Sequence, residues 1–327
     1  MNFKYNNVYF NEAALVVGPY EAKGPFGFSF DKAYDEFYFN TDSWEMAESK
    51  LITDSVSILL NKAKLKPKDI NIHISSDLLN QLVASNYAAK IVGIPYIGLY
   101  AACASSTLGI ILSANMIESN QAKKIICTVS SHNASAEKQF RYPVEYGGPK
   151  RKTTTSTSTG GCAALISNVK KGVRVESGTI GSVIDLGVKD VYHMGAVMAP
   201  AAAETLYEHL KYHKRKPNYY DLILTGDLGV YGTSIFKDYL KEKYNIILDN
   251  YDDAGSILYG NNKKMYAGGS GPACLPLISY GYVFNKLKKK EYKRVLLIAT
   301  GALHSVSMCN EKRTIPAVAH AVSLEVI

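Results

Sequence analysis

Two pairs of segments in this 327-residue chain read as copies of one another in the same order, and that duplication limits the possible folds more than any other feature. Residues 66–78 and 216–228 each read as a basic, proline-punctuated loop, an apolar strand and an Asp-Leu pair at the strand's C-terminal end. That pair is Asp77-Leu78 in one copy and Asp227-Leu228 in the other. Residues 121–130 parallel 291–300; both follow a long helical segment and read as buried strands. Each half therefore carries strand, helix, strand, helix, strand. Such alternation predicts an α/β fold whose mainly parallel sheets are covered by helices. The expected architecture is two pseudo-symmetric βαβαβ halves, 1–172 and 173–327, forming layered mixed sheets around a buried central helix. Ligands in such folds bind beyond the C-terminal ends of strands. Asp77, Cys103, His132, Asp227 and His304 all follow apolar strand-like runs, so they are expected to converge on one cleft where the halves meet.

Cys103 lies in Tyr100-Ala101-Ala102-Cys103-Ala104-Ser105-Ser106-Thr107, a small-residue turn before a strongly apolar segment. A thiolate there faces unpaired N–H groups and the positive end of a helix dipole, and both favour ionisation. The alternative is a small residue packing a crowded turn. The following helix has Leu108, Ile110, Ile111, Leu112, Met116 and Ile117 nearly all round, the pattern of a buried helix. Asp77 and Asp227 are either helix caps at strand ends or pocket carboxylates. Residues 132–159 read as a long polar loop, which is usually functional or interfacial. At its start His132 and Asn133 either cap the loop or donate to a ligand. Within it Arg141 offers bidentate recognition of a carboxylate, or an ion pair with Glu137 or Glu145. Tyr142 offers an aromatic platform. The Gly268-Gly269-Ser270-Gly271 run is either a backbone nest for an anion or a place where backbones pass closely.

Metal chemistry finds little support. His209 and His213 have i,i+4 spacing but no third ligand nearby. Residues 249–253 look faintly calcium-binding, yet position twelve of such a loop is Gly260. The five cysteines have no metal-type spacing. Cys127, Cys162 and Cys274 lie in apolar stretches as core residues, Cys309 is undecided, and the set suggests a reducing, cytoplasmic setting. Residues 1–10 lack a signal-peptide apolar region, and no apolar run approaches the ~20 residues needed to span a bilayer. The net charge of +8 favours anionic partners. Its densest run, Lys286 to Lys290 with Lys293 and Arg294, reads as a solvated face. An acidic small molecule or membrane surface is expected, and nucleic acid is not.

Further blocks follow one another along the chain: Asp31-Lys32-Ala33-Tyr34-Asp35-Glu36, Trp44-Glu45-Met46-Ala47-Glu48, and Asp77-Leu78-Leu79-Asn80-Gln81. Then come Ser130-Ser131-His132-Asn133-Ala134-Ser135-Ala136-Glu137, Met198-Ala199-Pro200-Ala201-Ala202-Ala203 and Ala267-Gly268-Gly269-Ser270-Gly271. With the duplication and the cysteine turn, they resemble the thiolase and ketoacyl synthase superfamily, and within it the stage V sporulation AD family of spore-forming bacteria. The resemblance implies a protein that binds dipicolinic acid (pyridine-2,6-dicarboxylic acid) and aids its uptake into the forespore. It implies action with membrane-embedded SpoVA proteins, peripheral association with the forespore and spore inner membrane, and, by analogy, a homodimer. The ligand set it suggests is Cys103, Asp77, Asn80, His132, Asn133, Arg141, Tyr142, Asp227, Gly268, Gly269 and His304. The superfamily's nucleophile falls on Cys103. Its condensing His falls at Gly226-Asp227 and its Asn at Gly268-Gly269, where neither imidazole nor amide stands. A thiol near its ordinary pKa needs a base beside it, and losing one oxyanion donor typically costs about a hundredfold or more in rate. The expectation is a binding protein without catalysis or cofactor. The alternative is an acyl-thioester condensing or acyl-transfer enzyme using Cys103. Two carboxylates in one cleft would repel a dianion, so Ca²⁺, which prefers oxygen ligands, is expected as a companion of the ligand.

Overall fold

A computed structural model describes residues 1–140, 150–262 and 264–327. The first half contributes β1 (Tyr9–Val17), β2 (Ile72–Ser76), β3 (Tyr96–Gly98), β4 (Lys124–Ser131) and β5 (Gly160–Ser167), arranged β3-β2-β4-β5-β1. The second contributes β6 (Val173–Ile180), β7 (Leu222–Thr225), β8 (Tyr251–Asp253), β9 (Arg294–Ala302) and β10 (Ala317–Val326), arranged β8-β7-β9-β10-β6. The two orders are equivalent. In each array the three strands joined through helices run parallel, β2 beside β3 and β4, β7 beside β8 and β9. The remaining strands are antiparallel. Among the described residues, the arrays pair with each other where β1 and β6 begin, at Tyr9↔Arg174 and Phe10↔Val173.

Among the described residues, seven helices of eight residues or more cover and separate these arrays: α1 (Trp44–Ala63), α2 (Val83–Val92), α3 (Ser105–Glu118), α4 (Asn133–Phe140), α5 (Met194–His213), α6 (Gly229–Tyr244) and a last one, α7, over 274–288. Ser43 caps α1 by accepting from the Met46 N–H at 3.3 Å, and α1 stops where Lys64 turns left-handed at φ 55°. α1 and α2 pack on the first array, α5 and α6 on the second. α3 lies between them, touching β4 and β5 of one half and β6, β9 and β10 of the other. That position explains its all-round apolarity: Ile110, Ile111, Ala114 and Ile117 are buried. Each isoleucine contributes about 1.5–3 kcal/mol by leaving water. α7 shares this middle layer and contains a π-helical stretch, Leu277–Val283.

Two features depart from the sequence reading. The segment read as a polar loop from residue 132 begins with helix α4 and ends in a short strand, Ser156–Thr157, paired with Gly269–Ser270. The sequence hides this helix because His132-Asn133-Ala134-Ser135 reads as turn chemistry, while its buried face, Ser135, Ala136 and Glu137, carries no large apolar side chain. Among the described residues, no helix is long and apolar enough to cross a membrane.

Candidate functional site

The C-terminal ends of both sets of parallel strands converge on one cleft. Its floor is the turn Ala102–Ala104 ahead of α3. Ala102 adopts φ 48°, a left-handed conformation unusual for alanine. Hydroxyls hold it there. Ser105 Oγ accepts from the Ala101 N–H (3.0 Å) and donates to the Ala102 carbonyl (2.7 Å). Thr107 Oγ1 donates to the His320 carbonyl in β10 (2.9 Å), so the second half anchors the first half's turn. β9 seals it from beneath: a Cβ on Gly301 would lie 2.4 Å from the Ala101 carbonyl oxygen and 2.9 Å from the Ala104 nitrogen. Cys103 is thereby left half-buried at the head of a buried helix.

The inner chamber, about 70 Å³, is walled by Tyr100, Cys103, Glu137, Phe140, Met194 and His304, among others. It shares Leu78, Tyr100, Phe140 and His304 with an outer vestibule of about 710 Å³ that reaches Asn80 and Gln139. His304 packs against Phe140 in a tilted pair, with ring centroids 5.3 Å apart. Glu137 is buried and pairs with Lys150 at 3.2 Å. Burial, with help from Cys103 and Asp77, pushes the Tyr100 hydroxyl up to about 12, so it remains a hydrogen-bond donor at neutral pH.

Of the residues singled out from sequence, the structure brings Cys103, Asn80 and His304 to this cleft. It places others elsewhere. Asp77 is buried and spent as a cap, accepting from the Leu79 and Ser85 N–H groups at 2.8 Å each. His132 accepts from the Ser135 N–H through Nδ1 (3.4 Å), and its Nε2 meets the Phe37 carbonyl at 2.8 Å. Burial lowers it to about 4, and its ring packs against Phe37 and Phe39 away from the chamber. Asn133 braces the wall from behind, donating through Nδ2 to the Thr157 carbonyl (3.0 Å). Gly268 and Gly269 form no nest: a Cβ on the first would strike the Gly255 carbonyl oxygen at 2.2 Å, and one on the second would face Leu258, Cys274 and Tyr259. Ser270 and Gly271, the next two residues, do line the chamber. Arg141 and Tyr142 lie outside the described residues.

Asp77 and Asp227, equivalent in the duplicated sequence, have parted company. In the second half the capping is done by Asp253 from the neighbouring strand. It accepts from the N–H groups of Leu228 (3.2 Å), Gly229 (2.9 Å) and Ser256 (2.9 Å). Asp227 is released from that duty and sits fully buried with φ 120°. Neither of its oxygens makes a hydrogen bond of ordinary geometry, nor does Thr300 Oγ1. The nearest polar groups are the backbone of Gly271, on the chamber wall, and Thr300. Burial and the nearby Asp253 push Asp227 well above the usual carboxylate range, which favours its neutral form.

Sequence reasoning missed Tyr100, Phe140, Met194 and Met198 as wall residues. One signal was available: Ala136, Glu137 and Phe140 fall on one helical face, but only once 133–140 is read as a helix. His209 and His213, the rejected metal pair, serve packing. His209 lies between Thr179 Oγ1 (2.7 Å) and the Tyr220 hydroxyl (2.8 Å), 4.5 Å from the His213 ring centroid to centroid. Among the described residues, no three histidine, cysteine or carboxylate side chains converge as a metal site. Cys127, Cys162 and Cys274 are buried, and Cys309 is half-buried against the hydrophobic core of the second half.

Residues 1–325 match the protein family described as stage V sporulation protein AD. The chain is 43% identical over 318 residues to the stage V sporulation protein AD of Bacillus subtilis strain 168, covering 97% of this chain and 94% of that one. Solved structures share the fold at low identity. A 3-oxoacyl-[acyl-carrier-protein] synthase III from Aquifex aeolicus is 14% identical with a TM-score of 0.60, covering 97% of this chain and 99% of that one. An OleA variant from Xanthomonas campestris is 12% identical with a TM-score of 0.64, covering 99% of both chains. The fold is thus the thiolase-like one of the ketoacyl synthases.

Proposed function

Since this chain belongs to the stage V sporulation protein AD family, we propose that its cleft binds dipicolinic acid and carries out no condensation. The protein would aid uptake of that ligand during sporulation alongside membrane-embedded SpoVA partners, itself peripheral to the membrane. One observation carries the reading. The chamber at Cys103 has aromatic and thioether walls suited to a flat ring, while positions 226–227 and 268–269 supply neither imidazole nor amide. Tyr100, Thr157, Ser270 and His304 are among the hydrogen-bonding side chains in the lining available to the ligand's carboxylates. The charge balance is also kinder to an anion than the sequence suggested, because Asp77 caps a helix and burial favours the neutral form of Asp227. Glu137 is the carboxylate that remains in the wall, with Lys150 against it. A Ca²⁺ chelate would lessen what repulsion is left.

Isothermal titration of dipicolinate into the wild type, with and without Ca²⁺, beside Phe140→Ala and Cys103→Ala, tests this. Phe140→Ala removes the ring that packs against His304 and is expected to weaken binding about tenfold or more. A wild type that binds dipicolinate in neither metal state sinks the reading. Equal affinities with and without Ca²⁺ remove the metal from it.

A second reading is favoured by Cys103 and His304 lining the same chamber. It is acyl transfer through the thiol, with the imidazole as base. Incubation with acyl-CoA followed by mass spectrometry decides it, and a stable acyl adduct on Cys103 would displace the binding-only reading.

We also propose a homodimer, formed through β3 at the edge of the first array. That strand offers unpaired backbone groups on one side, with Ile97, Tyr87, Ile91 and Tyr100 exposed nearby. Ile97→Lys is expected to halve the mass seen by light scattering. A wild-type mass for that variant would move the contact elsewhere.

A further inference from the structure

The excess positive charge is thin along the sequence but gathered in space. Both poles of the molecule are defined by the central helices. The N-termini of α3 and α7 point to the cleft. Their C-termini reach the opposite pole, where the backbone N–H of Asn6 meets Glu118 of α3 (3.1 Å) and Phe10 packs on Phe284 of α7 (centroids 4.8 Å). At that pole lie the N-terminal ends of β2, β4, β7 and β9, and the loops entering them. The two duplicated basic loops are both there: Lys64, Lys66 and Lys68 from one half, Lys214 and Lys216 from the other, all exposed. The end of α7 and the entry to β9 add Lys288, Lys289, Lys290 and Lys293. At the middle of the face, the turn from β5 to β6 holds out Lys170 and Lys171 behind Val169, an aliphatic side chain 47% exposed.

Among the described residues, none of these lysines enters an ion pair. Against them stand Asp69, Glu118, Asp221, Asp249 and Glu291, and the first three already accept backbone N–H bonds. The arginines there are spoken for: Arg215 by Glu176 (2.5 Å) and Arg294 by Glu325 (2.7 Å). The face is therefore a broad field of lysine point charges around an aliphatic tip. It lacks the free guanidinium forks that read bases.

We propose that this pole docks on an anionic phospholipid bilayer, with Val169 at the acyl boundary and the cleft opening to the aqueous side. The proposal gives orientation and chemistry to the membrane-peripheral reading above, on which it rests, and is separable from it by test. Flotation with phosphatidylcholine vesicles, with and without phosphatidylglycerol, is the measurement, at low and high salt. The protein is expected to float with the anionic vesicles alone and to be released by salt. Each lysine near a charged surface is worth roughly fivefold in affinity. The quadruple variant Lys66→Glu, Lys68→Glu, Lys170→Glu, Lys171→Glu is thus expected to lose vesicle binding by about a hundredfold or more. Val169→Trp should shift its emission to the blue on anionic vesicles, and Val306→Trp beside the cleft should not. Equal flotation with neutral vesicles, an undiminished quadruple variant, or tighter binding to duplex DNA at matched salt would each overturn the proposal. Dipicolinate titration in solution is the independent readout. The quadruple variant, altered far from the cleft, is expected to keep wild-type ligand affinity, so vesicle binding and ligand binding can fail separately.

Discussion

Gly301→Ala is expected to lower the stability of the fold by about 3 kcal/mol and to weaken ligand binding in the cleft by at least tenfold. The reason is distance. The new methyl group would stand 2.4 Å from the Ala101 carbonyl oxygen and 2.9 Å from the Ala104 nitrogen. Both are backbone atoms, so no side-chain rotation relieves the clash. Either β9 withdraws from its ladder with β10 or the turn carrying Cys103 shifts outward. The turn has little freedom, because Ser105 and Thr107 bind it to itself and to β10. Thermal melting and dipicolinate titration on one preparation check the two parts together. A variant with wild-type values of both would mean that the turn is not clamped as described.

Glu48→Gln is expected to act in the opposite direction, stabilising the protein at mildly alkaline pH. Glu48 of α1 is buried and accepts from Ser130 Oγ of β4 (3.1 Å) and Ser135 Oγ of α4 (2.6 Å). Burial, with the nearby Asp77, raises it from 4.5 to about 8. The native protein therefore holds a proton that the unfolded chain releases at lower pH. Its contribution is fully present below about pH 4.5 and is lost as pH rises through 8. The amide does not titrate, and it can keep one hydroxyl as donor and offer its own N–H to the other. Urea melts at pH 5.5 and pH 8.5 should show the wild type weakening between them and the variant gaining on the order of 2 kcal/mol at the higher pH. Wild-type stability that is level across this range would show that the ionised carboxylate is accommodated. Because α4 also carries Glu137 and Phe140, cleft affinity should follow the same pH trend.

Much of the architecture was legible before any coordinates. The repeated loop-strand-Asp-Leu pattern gave the doubled strand order, and the all-round apolarity of 108–117 marked α3 as the buried centre. The small residues around Cys103 pointed to a crowded strand-to-helix turn. What one-dimensional pattern could not separate was the duty of residues that end strands. Asp77 and Asp227 look alike in sequence. Only the third dimension shows Asp253 reaching across from β8 to cap α6, which leaves one aspartate structural and the other buried and unmet. Likewise the glycine run at 268–271 is one motif in sequence, yet its first two residues meet packed backbone and side chains while Gly271 meets the chamber. The aromatic and thioether side chains in the walls of the cleft come from four separate segments, and nothing local marks any one of them as a partner of the others.

The clamp on the cysteine turn has a bearing on how such a site could arise. The first half presents Cys103, but Gly301 and His320 of the second half hold it in place, and Met194, Ser270 and Gly271 close the chamber from that side. Neither half lines this chamber by itself. A half-length precursor could have offered this pocket only as a pair of identical chains, with two equivalent turns facing each other. In the single chain the halves divide the work: the first keeps the turn, and the second supplies its lid and its floor. Asp77 and Asp227 divide in the same way, one capping a helix and the other buried without a hydrogen bond of ordinary geometry.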